Sequence, residues 1–226
     1  MVLLRKSIPQ KSNLQTAAEL GVMSQLSKGI SRPMELEYDI RRTIILGAYM
    51  DHWGMPNTRN LLTRGSRRVE VYSFPSAPND NFHRFATVGL SSCVFEDGRS
   101  CDAELLLALP DAVATEQPDS ITNYLFGITA YVLESLKRSP KSEDVVPESQ
   151  LAPEGWPKAI LFDEPRGESE SLELFHVGAQ HVNLLWLVPI FGSEYSLIKR
   201  EGMAAFDRAA ENLEFSLVEV RRSPCV

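Results

Sequence analysis

Residues 182–189, Val-Asn-Leu-Leu-Trp-Leu-Val-Pro, are almost all apolar. An apolar run of this length is typical of a strand that is covered on both faces of a sheet. We therefore predict that Val182–Pro189 is an interior strand and that Trp186 lies in the core. The rest of the domain should be arranged around this strand.

Further strands are predicted wherever β-branched and aromatic residues cluster or alternate with polar ones. The turn at Glu96–Arg99 lies between the second and third of them and favours an antiparallel connection. The predicted strands are 68–74, 84–90, 101–109, 159–162, 172–177 and 215–220.

Three segments have the apolar spacing of helices. They are Glu35–Met50, with Leu36, Ile40, Ile44 and Ala48 on one face; Ile121–Lys137; and the segment from Ser193 to Leu213, with a break at Gly202. The residues predicted to be buried in the first two helices are Ile40, Ile44, Leu125, Ile128 and Val132.

Helices beside a largely antiparallel sheet predict a single α+β domain with a mixed sheet, over residues 34–226. Residues 1–33 are predicted to be an N-terminal arm that can include a short helix over Leu14–Leu26. Pro33 is expected in the first turn of the following helix, where its missing N–H costs nothing.

Charge is distributed unevenly along the 226 residues. The net charge is −7, but residues 69–226 hold 25 acidic and only 12 basic side chains. An acidic body argues against nucleic acid as a partner and is compatible with a basic protein, although it also serves solubility alone. No apolar stretch is long enough to span a membrane, the start does not read as a signal peptide, and three cysteines without a CxxC pair suggest a cytoplasmic protein with reduced thiols.

The sequence offers little catalytic chemistry. It contains none of the GxGxxG, GxxxxGK[ST], HExxH and GxSxG motifs. Cys93 and His83 could form a nucleophile and base only if the fold joined them. His176 and His181 are five residues apart, whereas a zinc site needs three or four converging ligands. We therefore predict no catalytic residue, no metal and no cofactor.

Candidate residues for binding a partner come from loops. The segment 163–173 carries Asp163, Glu164, Glu168, Glu170 and Glu173 against the single basic residue Arg166. Acidic loops on a rigid sheet suit a basic partner, although a solvated turn would have the same composition. Trp53 and Trp156 lie near Gly and Pro and are candidates as interface anchors or as lids over the core.

A set of motifs occurs in the order of a known family. It comprises Gly54-Met-Pro, Val69-Glu-Val-Tyr, Phe85-Ala-Thr-Val-Gly-Leu-Ser, Ala103-Glu-Leu-Leu-Leu-Ala-Leu-Pro, Leu184-Leu-Trp-Leu-Val-Pro-Ile and Glu194-Tyr-Ser-Leu-Ile-Lys-Arg-Glu-Gly. Over roughly residues 45–222 the chain thereby resembles the suppressor of fused domain family.

This resemblance implies a mixed α/β fold without known enzymatic activity, in a family whose members bind other proteins. The animal protein sequesters a transcription factor, and bacterial single-domain members are regarded as immunity proteins against toxins. We therefore expect a non-catalytic, protein-binding domain that neutralises a toxin. The alternatives are an intracellular regulator or scaffold for an endogenous protein, or an unrecognised hydrolase.

Overall fold

The computed structural model describes the backbone of residues 16–78, 80–211 and 216–226, and the side chains of these residues from Glu35 onward. The chain divides into two units, Met1–Asp39 and Ile40–Val226. The first unit is described only through the beginning of helix α1 (Thr16–Trp53). The second unit contains the sheet and every site discussed below.

Within the described residues, eight strands form one mixed sheet in the order β1-β2-β3-β4-β8-β6-β5, with β7 also paired to β8. The β4–β8 pairing is parallel and the others are antiparallel. The strands are β1 Thr58–Arg64, β2 Arg67–Phe74, β3 Phe82–Val88, β4 Ala103–Pro110, β5 Val145–Val146, β6 Ala159–Asp163, β7 Leu174–Val177 and β8 Gln180–Ile190.

The described helices surround this sheet. Besides α1 they are α2 Asp111–Glu116, α3 Pro118–Tyr131, α4 Glu170–Glu173, α5 Gly192–Glu201 and α6 Met203–Ala210, with a 3-10 turn at Leu90–Ser92 and a π-helical turn at Val132–Leu136. None of the described helices is long and apolar enough to cross a membrane. The α+β class and the mixed sheet predicted from the sequence are confirmed.

Strand β8 is interior, as its apolar run predicts. Leu185 and Leu187 join a core with α3, whereas Leu184, Trp186 and Val188 join a second core with α1, α5 and α6. Because side chains alternate between the two faces of a strand, both faces are apolar only when helices cover both. Trp186 is buried, as predicted.

The prediction for the buried face of α1 is wrong. Ile40 and Ile44 are 49% and 38% exposed, whereas Ile45, Tyr49 and Trp53 are buried. The buried face also contains Arg41, whose Nη1 donates to the carbonyl oxygen of Ser91 at 3.1 Å. The spacing of apolar residues does not identify this buried face, because the face begins with a charged residue, Arg41, that is buried with a hydrogen bond.

Two further expectations need correction. The helix does not begin near Pro33, because α1 runs through this position from Thr16; one proline costs a helix a hydrogen bond without always ending it. Leu14, where the short helix was expected to start, lies outside the described residues, and the domain boundary at residue 34 stays a prediction.

The second correction concerns the strand predicted at 215–220. Residues 216–220 form turns, in which Glu219 N–H donates to the Ser216 carbonyl at 3.0 Å. Phe215 lies outside the described residues.

Candidate functional site

The acidic loop, defined as residues 163–173, connects β6 to β7 and includes α4. Its first part folds back in a turn in which Glu168 N–H donates to the Pro165 carbonyl at 3.0 Å. Gly167 has a φ of +82°, the left-handed conformation that the third residue of a type II turn needs. The turn therefore returns Glu168 to the sheet.

Glu168 fastens the acidic loop to two distant elements. Its Oε1 accepts a hydrogen bond from Arg84 Nε on β3 at 2.6 Å, and its Oε2 accepts one from Trp53 Nε1 at the end of α1 at 2.8 Å. Only 11% of the Glu168 side chain is exposed. The fold thus joins two predicted site residues, Trp53 and Glu168, that are 115 positions apart.

Arg84 contacts both Glu168 of the acidic loop and Trp53 of α1. Besides Glu168 it pairs with Asp80 and donates to the Phe82 carbonyl at 3.0 Å, and its guanidinium lies 5.7 Å from the centre of the Trp53 ring. Trp53 itself is buried, stacked on Tyr49 at 4.7 Å. Trp53 is therefore a packing residue that also anchors the loop.

A second ion pair holds the beginning of the loop. Arg166 Nε lies 2.7 Å from Asp163 Oδ2, and Arg166 Nη1 donates to Asp207 Oδ1 on α6 at 2.9 Å. Asp163 is buried, and burial raises the pKa of its carboxyl although Arg166 opposes the shift. Asp163 therefore contributes to holding the loop, and little of it is presented to a partner.

The other three carboxylates of the loop face solvent. Glu164, Glu170 and Glu173 are all exposed, with the latter two on α4. The five acidic residues predicted as a partner site thus divide into two that fasten the loop and three that can meet a partner. Loops positioned by a rigid scaffold commonly carry binding residues.

A cavity of about 350 Å³ lies between this loop, the sheet and the C-terminal segment. Its walls combine apolar side chains with Arg84, Arg166 and Glu168. The apolar part of the lining includes Phe82, Leu106, Ala108, Trp186, Leu217 and Val218. A mostly apolar concavity with a few charged groups is a common form of binding site.

Sequence reasoning missed Arg84 and Trp186 as parts of this site. Arg84 lies in β3 directly before Phe85-Ala-Thr-Val, four buried residues of the same strand. A charged residue within an apolar strand must be paired, because an unpaired buried charge is costly. The position of a charged residue in an apolar strand could therefore have indicated that Arg84 has a buried partner. For Trp186, nothing in the sequence indicated which face of β8 would border a cavity.

Trp156 lies apart from the acidic loop. It is buried in the core that contains α3, where its ring packs edge-on against Tyr124 at 5.8 Å. The structure therefore does not bring the two candidate tryptophans together.

The residues considered for an enzyme take other roles. Cys93 is buried, its Sγ donates to the Gly89 carbonyl at 3.5 Å, and burial raises its pKa to about 12, so it is a poor nucleophile. His83 pairs with Ser73 Oγ at 2.6 Å and with Asp111 Oδ1 at 3.3 Å. This is the order of a hydrolase triad, but Ser73 and His83 are each only 5% exposed, which keeps the hydroxyl from a substrate.

Two carboxylates in the family-like motifs are structural. Glu104 accepts hydrogen bonds from Thr87 Oγ1 at 2.6 Å and from Gly89 N–H at 2.9 Å, which closes the turn after β3. Glu194 lies in the first turn of α5 and pairs with buried Arg222 at 2.8 Å. Burial by itself would raise the pKa of the Glu194 carboxyl, but Arg222 holds it below its ordinary value.

Among the residues that the structure describes, no group of three or more His, Cys, Asp or Glu side chains is placed to hold a metal ion. His176 and His181 face each other across the β7–β8 hairpin, with ring centres 4.9 Å apart.

The fold and the site together define an α+β domain with an open mixed sheet and a fastened acidic loop beside a cavity. A family model described as suppressor of fused protein (SUFU) matches residues 65–223. The chain belongs to the SUFU family, which confirms the resemblance seen in the sequence. No curated protein matches the chain.

Solved structures of SUFU proteins share the fold. A SUFU homolog from Neisseria gonorrhoeae has a TM-score of 0.63 at 12% identity, and the match covers 82% of this chain and 97% of that one. The structure of a Sufu–Fu complex gives 0.58 at 14% identity, covering 80% and 89%. Drosophila Suppressor of Fused gives 0.57 at 16% identity, covering 79% of this chain and 49% of that one.

Proposed function

We propose that this chain is a non-catalytic binding domain for a basic protein, and that it neutralises a toxin in the manner of an immunity protein. The observation that carries the proposal is the acidic loop, fastened at Glu168 and Asp163, beside a cavity of about 350 Å³. The Sufu–Fu complex supports a protein as the partner, since a SUFU protein is there bound to another protein.

The fastened loop favours binding for an energetic reason. A loop already held in place loses little conformational freedom when a partner binds, so less of the interaction energy is spent on ordering it. Glu164, Glu170 and Glu173 would attract a basic surface and speed its approach. The apolar cavity beside them would accept an apolar side chain from the partner as an anchor.

A toxin is the proposed partner because many toxins that attack nucleic acid need a basic face, which an acidic loop could cover. The fold is shared with a bacterial SUFU homolog, and the match covers 97% of that chain. A regulator or scaffold for an endogenous protein would use the same surface. The two functions differ in what the partner does when it is expressed alone: a toxin should arrest cell growth, whereas an endogenous partner should not.

The test starts with affinity capture from the native host, using three forms of the protein. The first is wild type and the second carries Glu164→Lys and Glu170→Lys in the acidic loop. The matched control carries Glu148→Lys and Glu154→Lys, two exposed residues outside the loop, so that its net charge changes equally.

We expect wild type and control to retain the same partner and the loop variant to lose it. Expressed alone, the partner should arrest growth, and co-expression with wild type should restore it. Equal retention by all three forms would contradict the proposed surface. A partner without toxicity would contradict neutralisation while leaving protein binding in place.

A further inference from the structure

The hairpin that joins β7 to β8 places two histidines side by side. Its two-residue turn, Gly178-Ala179, has Gly178 at a φ of +63°, as a tight hairpin turn of this kind requires. Val177 pairs with Gln180 next to the turn, and His176 pairs with His181 one step further along. Both histidines are exposed.

The register brings these two side chains as close as a sheet allows. In a two-residue hairpin the pair beside the turn is hydrogen-bonded, so the next pair is a non-hydrogen-bonded one. Residues opposite each other in such pairs have Cβ atoms about 4.5–5.5 Å apart, at the closer end of the range, and their side chains lie on the same face. His176 and His181 therefore project together on one side of the hairpin.

The separation of the rings fits a shared metal ion. A nitrogen of imidazole binds Zn²⁺ at about 2.0–2.1 Å, so two rings that bind one tetrahedral ion have centres about 5 Å apart. The observed separation is 4.9 Å. Because both side chains are exposed, their rings can rotate until one nitrogen of each faces the ion.

We propose that His176 and His181 together bind one divalent transition-metal ion of the Zn²⁺ or Cu²⁺ class. Imidazole is a preferred ligand of these ions. Two protein ligands leave further coordination positions for water, so binding would be weak and the fold would not depend on it. The expectation of no metal rested on the missing third protein ligand, and a weak two-ligand site does not need one.

The site is tested by titrating the purified full-length chain with Zn²⁺ in a calorimeter. The variants are His176→Ala, His181→Ala and the double variant. The matched control is His52→Ala, which removes an exposed histidine of α1 whose Nε2 lies 2.8 Å from Ser171 Oγ.

We expect one Zn²⁺ per wild-type chain. Either hairpin variant should bind Zn²⁺ at least about tenfold more weakly, because the second imidazole then no longer acts intramolecularly. The double variant should bind no more tightly than the singles, and the control should match wild type. In a nuclear magnetic resonance titration, the ring signals of His176 and His181 should shift together.

Wild-type binding that survives His176→Ala or that is lost in His52→Ala would overturn the proposal, as would absence of binding by wild type at millimolar Zn²⁺. Circular dichroism of each variant without metal checks that the fold is intact. Because both hairpin histidines are exposed, replacing them should leave the fold intact.

Discussion

Replacing Glu168 by alanine tests whether the acidic loop is fastened to the sheet. The change removes the acceptor of Trp53 Nε1 and one of the two carboxylates on Arg84, which keeps Asp80 and the Phe82 carbonyl. A buried donor left without an acceptor costs about 1–3 kcal/mol, and a hydrogen bond to a charged group contributes about 1.5–3 kcal/mol. We expect a loss of about 3 kcal/mol in the free energy of unfolding, since Arg84 keeps part of its network.

For a chain of this size such a loss lowers the melting temperature by about 6–12 °C. Urea denaturation followed by tryptophan fluorescence gives the free energy, and a thermal scan gives the melting temperature. Glu168→Gln should lose less, because the amide oxygen still accepts from Trp53. The control Glu170→Ala changes an exposed carboxylate of the same loop and should stay within about 0.5 kcal/mol of wild type. A Glu168→Ala protein as stable as this control would refute the fastened loop.

Two other perturbations test the core and the buried ion pairs. Leu125→Ala in α3 should lower the free energy of unfolding by about 2–5 kcal/mol, because it removes a buried side chain. Ile44→Ala on the exposed face of α1 should lower it by less than about 1 kcal/mol. Equal losses of the two variants in urea denaturation would contradict the assigned faces. Burial by itself would raise the pKa of Glu70, but hydrogen bonds from Arg59 and Arg42 lower it to about 2 from an ordinary 4.5. The stabilising contribution of Glu70 is therefore complete above pH 4.5 and is lost as the pH falls toward 2. The free energy of unfolding of Glu70→Gln should decline less than that of wild type over this interval. Parallel declines in the two proteins would contradict the ion pairs of Glu70 with Arg59 and Arg42.

The sequence predicted an element correctly where the pattern of its apolar residues matches the residues that the fold buries. The apolar run of β8 predicted an interior strand, and the apolar stripe of the helix predicted over Ile121–Lys137 indicated the burial of Leu125, Ile128 and Val132, which are all buried. Strand β1 was not predicted, because most of its residues, Thr-Arg-Asn-Leu-Leu-Thr-Arg, are exposed on an edge and show no alternation. The alternation at 215–220 was misleading, since Val220 is buried in the core that contains α3 although residues 216–220 form turns and not a strand.

Only the amino-acid composition of the candidate site could be predicted from the sequence, and not the arrangement of its side chains. Five carboxylates in eleven residues indicated a loop with an unusual charge, but not that Glu168 and Asp163 turn inward. Glu168 pairs with Arg84, 84 positions away, and Arg166, the partner of Asp163, also pairs with Asp207, 41 positions away. Long-range pairs of this kind depend on strand order, which local patterns do not contain. The cavity depends in the same way on the approach of the C-terminal segment to the loop.

The central claim is that Glu164 and Glu170 steer a basic protein onto the acidic loop. Its most direct test is the association rate constant for the captured partner, measured at low and high salt for wild type, the Glu164→Lys/Glu170→Lys variant and the Glu148→Lys/Glu154→Lys control. We predict that the loop variant associates more slowly at low salt and depends less on salt, while the control stays closer to wild type. Equal rate constants and equal salt dependence in the loop variant and the control would contradict the claim.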